Sequence, residues 1–311
     1  MQKLPFKNGI SWGIMIMDLL LIFVTMNRLD VKWLGFCLIL NSSVISATEG
    51  GGSNYLPGFY GDLAMAVFPE PGTYFNNFFA AYQDTESQTG TLLEMPGVLH
   101  VSEFEILGGQ FVTGFYPGMM AAKADAASNQ FDRVGLGDFY LVPGGVSWKW
   151  QNLHAFFFEG VVAPTGRYQA NDFNLGRNYW TFDHNLLLTW NLPLNMEISV
   201  AAGYMNNLEN TATQYRSGDE FHLDYTLGHY PISSFGFGVT GSYYQQVTRD
   251  RTSPEQVVTA PGEASSLGPV VMYMPRINGQ DAAISLKYIR EFNVSGRLPQ
   301  EYLICRFLMS F

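Results

Sequence analysis

From residue 195 to residue 230, apolar and polar side chains alternate along two runs separated by a polar loop. Met196, Ile198, Val200, Ala202 and Tyr204 share one parity, and Asn195, Glu197, Ser199 and Gly203 share the other. After the loop, Phe221, Leu223, Tyr225 and Leu227 alternate with Glu220, His222, Asp224 and Thr226. Successive side chains of a strand point to opposite faces, so the stretch predicts a hairpin with one apolar and one charged face. In a soluble sandwich the charged face would meet bulk water. In a membrane barrel the apolar face meets lipid and the polar face lines the lumen.

The rest of the chain favours the barrel. Strand-like runs recur at residues 73–83, 98–103, 106–117, 137–150, 152–164, 178–192, 194–206, 219–230, 235–247, 266–274, 281–292 and 301–311, about twelve in all. Short connections near residues 150–152, 192–194, 231–234 and 276–280 alternate with long polar ones at 118–134, 165–177, 207–218 and 248–265. That is the rhythm of periplasmic turns and external loops, and it puts both chain ends of the barrel on the periplasmic side. The expected fold is therefore all-β: a transmembrane, antiparallel, up-and-down β-barrel of about twelve strands. Composition agrees. Only 14% of residues are charged against 15% aromatic, where a soluble protein carries about 25% charged residues. A mean hydropathy of +0.02 is too polar for a bundle of membrane helices. The net charge of -10 argues against nucleic acid, whose phosphates call for a basic patch.

Both ends of the chain read as signals for export and assembly. Residues 1–47 form a targeting segment. Within it residues 26–47 have the layout of a signal peptide: MNRLDVK with net positive charge, the apolar WLGFCLIL, and a small residue at Ala47 for cleavage. Met26 is then a candidate start, and the upstream apolar run, interrupted by Asp18, is either untranslated sequence or a helix. Residues 48–72, rich in Gly and Pro, are irregular, either a lumenal plug or a plain periplasmic leader. Residues 73–311 make the barrel. At the other end Leu303, Cys305, Phe307, Met309 and Phe311 alternate. This resembles the last strand that outer-membrane proteins present to the barrel-assembly machinery, and it turns Cys305 toward lipid as a small apolar residue. With Cys37 in the targeting segment, Cys305 has no disulfide partner in the mature chain.

Parity gives a set of expected lumen residues: Glu159, Asp183, Asn185, Glu197, Glu220, His222, Asp224, Lys287 and Arg306. A Lys or Arg facing lipid at the midplane costs about 2–4 kcal/mol, so Lys287 and Arg306 belong inside, paired with carboxylates. These groups either line a substrate route or fill the lumen as a rigid salt-bridged core. Tyr116, Trp148, Trp150, Trp180, Trp190, Tyr204 and Tyr225 read as membrane-interface girdles, and Phe79, Phe157 and Tyr244 as lumenal aromatics. Catalysis has little support. His100 and Ser102 have the spacing of an outer-membrane phospholipase dyad, but Glu103 and Phe104 stand where that family has Asn-Gly. The five histidines, His100, His154, His184, His222 and His229, show no ligand spacing, so no metal or other cofactor is implied.

Several strings, in order along the chain, resemble one family: EGGGSNYLPG, GLGDFYLVP, APTGRY, LGRNYWTF, ENTATQYRSGDEFHLDY, SYYQQVTRD, SLGPVVMY and KYIREF. They are similar to the SphA-like "MetA-pathway of phenol degradation" outer-membrane proteins, from about Glu49 to the C-terminus. The resemblance implies a barrel in the outer membrane of a Gram-negative bacterium that passes small hydrophobic or aromatic compounds. Its expected partners are outer-membrane lipid, the barrel-assembly machinery and small apolar solutes. The alternatives are a structural or surface-interaction barrel with a closed lumen and, third, an outer-membrane acyl hydrolase.

Overall fold

The computed structural model describes residues 48–49, 52–84, 89–126, 129–170, 172–252, 256–257 and 261–311. The targeting segment at 1–47 lies outside the described residues. Twelve strands form the barrel: β1 (Gly72–Asp84), β2 (Gly90–Ile106), β3 (Gly109–Tyr116), β4 (Phe139–Trp150), β5 (Leu153–Ala163), β6 (Thr181–Leu192), β7 (Met196–Asn207), β8 (Glu220–Ile232), β9 (Phe235–Gln246), β10 (Glu263–Tyr273), β11 (Gln280–Ser295) and β12 (Gln300–Ser310). Each pairs antiparallel with its neighbours in sequence. The sheet closes where β1 pairs with both β2 and β12, Phe78 standing opposite Met95 on one side and Arg306 on the other. Closure leaves the barrel wall without a free edge, which lets a β-structure sit in hydrocarbon.

The alternation at 195–230 runs as its parity requires. Glu197, Ser199 and Ala201 are buried while Ile198 and Tyr204 are exposed. Around the circumference Val98, Phe115, Leu188, Leu227, Val239, Leu267 and Leu286 are likewise exposed on the outer wall. In water each would forfeit about 1.5–3 kcal/mol of burial; in acyl chains it forfeits nothing. Trp148 and Trp150 stack on one another, and Trp150, Leu153 and Trp190 lie side by side at the end of the barrel that carries the short turns. One of those turns is Asn278–Gly279, with φ of 53° and 84°, the left-handed pair that a two-residue hairpin turn demands.

Two features extend beyond the expected strands. β2 begins at Gly90, eight residues before the apolar run. Pro96 and Gly97 read as breakers, yet they sit where β2 changes partner, between its pairing with Met119–Ala126 and its pairing with β3. Residues 118–134, expected as a loop, instead contain most of a second hairpin, Met119–Ala126 with Asn129–Leu136, standing above β3 and β4. At the same end a small four-stranded sheet joins the connections after β7 and β9. Pro143 in the middle of β4 is accommodated by register shifts against both neighbours.

Candidate functional site

The inner wall has two unlike halves. Along β1–β5 it is mostly apolar, with Phe78, Met95, Leu99, Val112, Tyr116, Val142, Phe156 and Phe158 all buried. Along β6–β12 it is polar, with Asp183, Asn185, Glu197, Glu220, His222, Asp224, Thr240, Ser266 and Lys287 buried. Between the halves lies the chain ahead of β1. Residues 53–68 touch inward-facing side chains of β1, β4, β5, β6, β7, β8, β9, β11 and β12.

Its polar groups bind the polar half one after another. Near the long connections, Glu49 is held by loop residues: Thr213 Oγ1 donates to its carboxylate at 2.7 Å and Asn210 Nδ2 at 2.9 Å, and Arg177 Nη1 donates to its carbonyl at 3.0 Å. Ser53 then donates to Glu220, whose other oxygen accepts from Asn207 Nδ2 at 2.8 Å. Tyr55 stacks on His222 with ring centroids 4.3 Å apart and donates to Asp224 Oδ1 at 3.0 Å. Tyr60 and Tyr140 both donate to Asp183 Oδ2, whose Oδ1 is 2.9 Å from His222 Nε2. The backbone N–H of Ala64 donates to Glu197 at 2.6 Å, and that of Ala66 to Thr189 at 2.9 Å. Backbone N–H groups of an irregular segment need partners once water is excluded, and the inward carboxylate and hydroxyl supply them.

The strongest anchor is Asp62. Its Oδ1 accepts from Lys287 Nζ at 2.9 Å and from Ser285 Oγ at 2.6 Å, and Oδ2 lies 3.4 Å from Arg306 Nη1. Burial pushes the Asp62 carboxyl up, but the Lys287 ammonium and the Arg306 guanidinium more than reverse this and leave it below the ordinary carboxylate range. Lys287 also donates to the Phe59 carbonyl at 3.2 Å. Two cations thus share one carboxylate from the segment.

On the apolar half, Phe59 stacks on Phe78 and Phe68 packs on Phe156. A cavity remains there, lined by Phe59, Tyr60, Met65, Phe68, Phe78, Leu99, Tyr116, Tyr140, Val142, Phe156, Phe158 and Leu187, with Asn76 and Arg306 on its polar edge. About 70 Å³ of it is open to the centre of a water molecule, several times what a single water needs. Gly97 shapes one wall: a Cβ there would lie 2.1 Å from the Tyr116 ring.

Of the nine expected lumen residues, Asp183, Asn185, Glu197, Glu220, His222, Asp224, Lys287 and Arg306 face inward, and all but the half-buried Arg306 are nearly inaccessible. Glu159 is a correction. It faces outward and pairs with His184 Nδ1 at 2.6 Å, while Phe156 and Phe158 take the inward positions. Three successive phenylalanines hide the alternation, and the inward pair is the one that packs on Phe68 and Tyr60. Phe79 and Phe157 also turn outward, leaving Tyr244 inward, and Tyr116, expected in a girdle, is buried inside beside Asn76. His100 bonds Thr73 at 3.0 Å, and Ser102 accepts from the Phe104 N–H. Sequence reasoning missed the binding residues of the segment itself, Tyr55, Phe59, Tyr60 and Asp62; Asp62 in a Gly-, Pro- and aromatic-rich stretch was the available signal.

The model of the family described as "Putative MetA-pathway of phenol degradation" matches residues 79–307. No curated protein matches the chain. Among solved structures, an outer membrane channel from Pseudomonas putida F1 aligns with a TM-score of 0.69 at 13% identity, covering 83% of this chain and 100% of that one. The beta domain of the Bordetella autotransporter BrkA aligns with a TM-score of 0.45 at 12% identity, covering 78% and 99%. The lipid-facing wall and the closed twelve-stranded fold, which aligns with a solved outer membrane channel, place the protein in a Gram-negative outer membrane. With the match spanning most of the barrel, the chain belongs to the MetA-pathway of phenol degradation family.

Proposed function

We propose that this barrel is a passive outer-membrane channel for small hydrophobic or aromatic compounds, closed at rest by residues 49–70 acting as a lumenal plug. The observation that carries the reading is the two-sided lumen: the segment is held mainly by the polar half, and the space it leaves lies against the apolar half. In this reading a solute enters past the long connections and moves along the mostly apolar wall of β1–β5. Glu197, Glu220, His222, Asp224, Asp183 and Lys287 hold the plug while it is docked and, with Asn185, form the wetted side of the path once it shifts. The solved outer membrane channel of the same fold supports the reading by analogy alone.

A second reading, a barrel with a permanently closed lumen, draws on the near-complete burial of these same ionisable groups. Entry of 1-N-phenylnaphthylamine into intact Gram-negative cells separates the two, because the outer membrane excludes this apolar dye. Cells that make the protein should take the dye up several-fold faster than vector controls, with sugar influx unchanged. Equal dye entry in both strains would favour the closed barrel.

A further inference from the structure

Charge in the lumen is unevenly balanced around Arg306. Asp62 carries one negative charge and is met by two cations, Lys287 and Arg306. Lys287 is fully enclosed and committed to Asp62 and the Phe59 carbonyl. Arg306 is the loosely held member. Its Nη1 contact with Asp62 is 3.4 Å, its Nε donates to Asn76 at 3.0 Å, and among the described residues Nη2 has no hydrogen-bond acceptor. The guanidinium lies 5.0 Å over the Phe78 ring and borders the aromatic cavity. Arg306 therefore shares its one direct carboxylate with a closer cation, and its Nη2 borders a space lined, apart from Asn76, by aromatic and aliphatic side chains. In such surroundings a cation that shares its carboxylate is incompletely neutralised, and an anion that meets it gains more than it would in water.

We propose that the cavity is a binding site for an organic anion, an apolar or aromatic body bearing one carboxylate-type head, with the head on Arg306 and the body among Phe59, Phe78, Phe156 and Phe158. This rests on the reading of the aromatic wall as the solute path and names the solute class that the wall retains best. Arg306 supplies a charge-assisted hydrogen bond from Nη2, which is stronger than one between neutral groups. The Asn76 amide, already fixed by Arg306 and by the Tyr116 hydroxyl 2.9 Å away, holds the guanidinium in place.

The test is isothermal titration of the full barrel in lipid nanodiscs with 4-methylbenzoate, 4-methylbenzyl alcohol and 4-methylbenzylamine, with empty nanodiscs as the blank. The acid should bind at least tenfold more tightly than the alcohol, as expected for a hydrogen bond to a charged group, and the amine most weakly. Arg306→Gln should abolish the preference and Arg306→Lys should retain part of it. Equal affinity for all three probes overturns the anion assignment and leaves the aromatic path standing. Binding of none of them overturns both. A preference for the acid that survives in Arg306→Gln overturns the role of Arg306. The comparison of probes on the unaltered protein decides the anion assignment even if the variants fail to fold.

Discussion

At the scale of single residues, Asp62 is the group on which docking of the N-terminal segment turns. Lys287 and Ser285, two of its three partners, are fully buried, so loss of the carboxylate would leave the Lys287 ammonium without its direct ion-pair partner. Breaking a buried ion pair by removing one partner costs about 3–5 kcal/mol, whereas replacing both partners with apolar groups can be nearly neutral. Asp62→Asn should therefore free the segment, seen as rapid proteolysis between residues 49 and 72 while the strands stay protected. The double variant Asp62→Asn/Lys287→Met should recover much of the protection. Equal cleavage rates for the unaltered protein and Asp62→Asn would remove the anchor from the account. This pairing was not legible in the sequence. The inward placement of Lys287 follows from its parity and from the cost of a charge in lipid, but its partner lies 225 positions away in a stretch without periodicity.

At the scale of elements, legibility followed alternation. β7 and β8 alternate cleanly, and their inward and outward faces follow directly from the sequence. β5 does not, because Phe156, Phe157 and Phe158 make both faces apolar, and parity alone puts Glu159 on the wrong side. The early start of β2 and the extra hairpin after β3 were hidden for a related reason: Pro96, Gly97, Pro117 and Gly118 look like ends of strands, and here they mark changes of partner. The outward Glu159 gives a direct check. Ion selectivity, read as a reversal potential across a planar bilayer in a salt gradient, should not change in Glu159→Gln, whose carboxylate sits on the outer wall with His184. A clear shift of the reversal potential in that variant would put Glu159 back in the lumen and would mean that β5 is inverted.

At the scale of the whole molecule, a closed sheet presents grease to lipid, and within it a polar wall and an apolar wall face each other across a strap of irregular chain. The number of strands, their antiparallel order and the membrane setting all follow from the sequence, because each is written in local period and turn length. The division of the lumen into halves is not local, since it appears only when twelve inward faces are laid side by side. Central to the proposed function is the idea that the strap, and not the barrel wall, closes the path. Single-channel conductance in planar bilayers tests this most directly, comparing the full chain with a variant lacking residues 49–70 that still migrates as a folded, heat-modifiable barrel. The account predicts a several-fold larger conductance for the shortened protein; equal conductance of the two would contradict it.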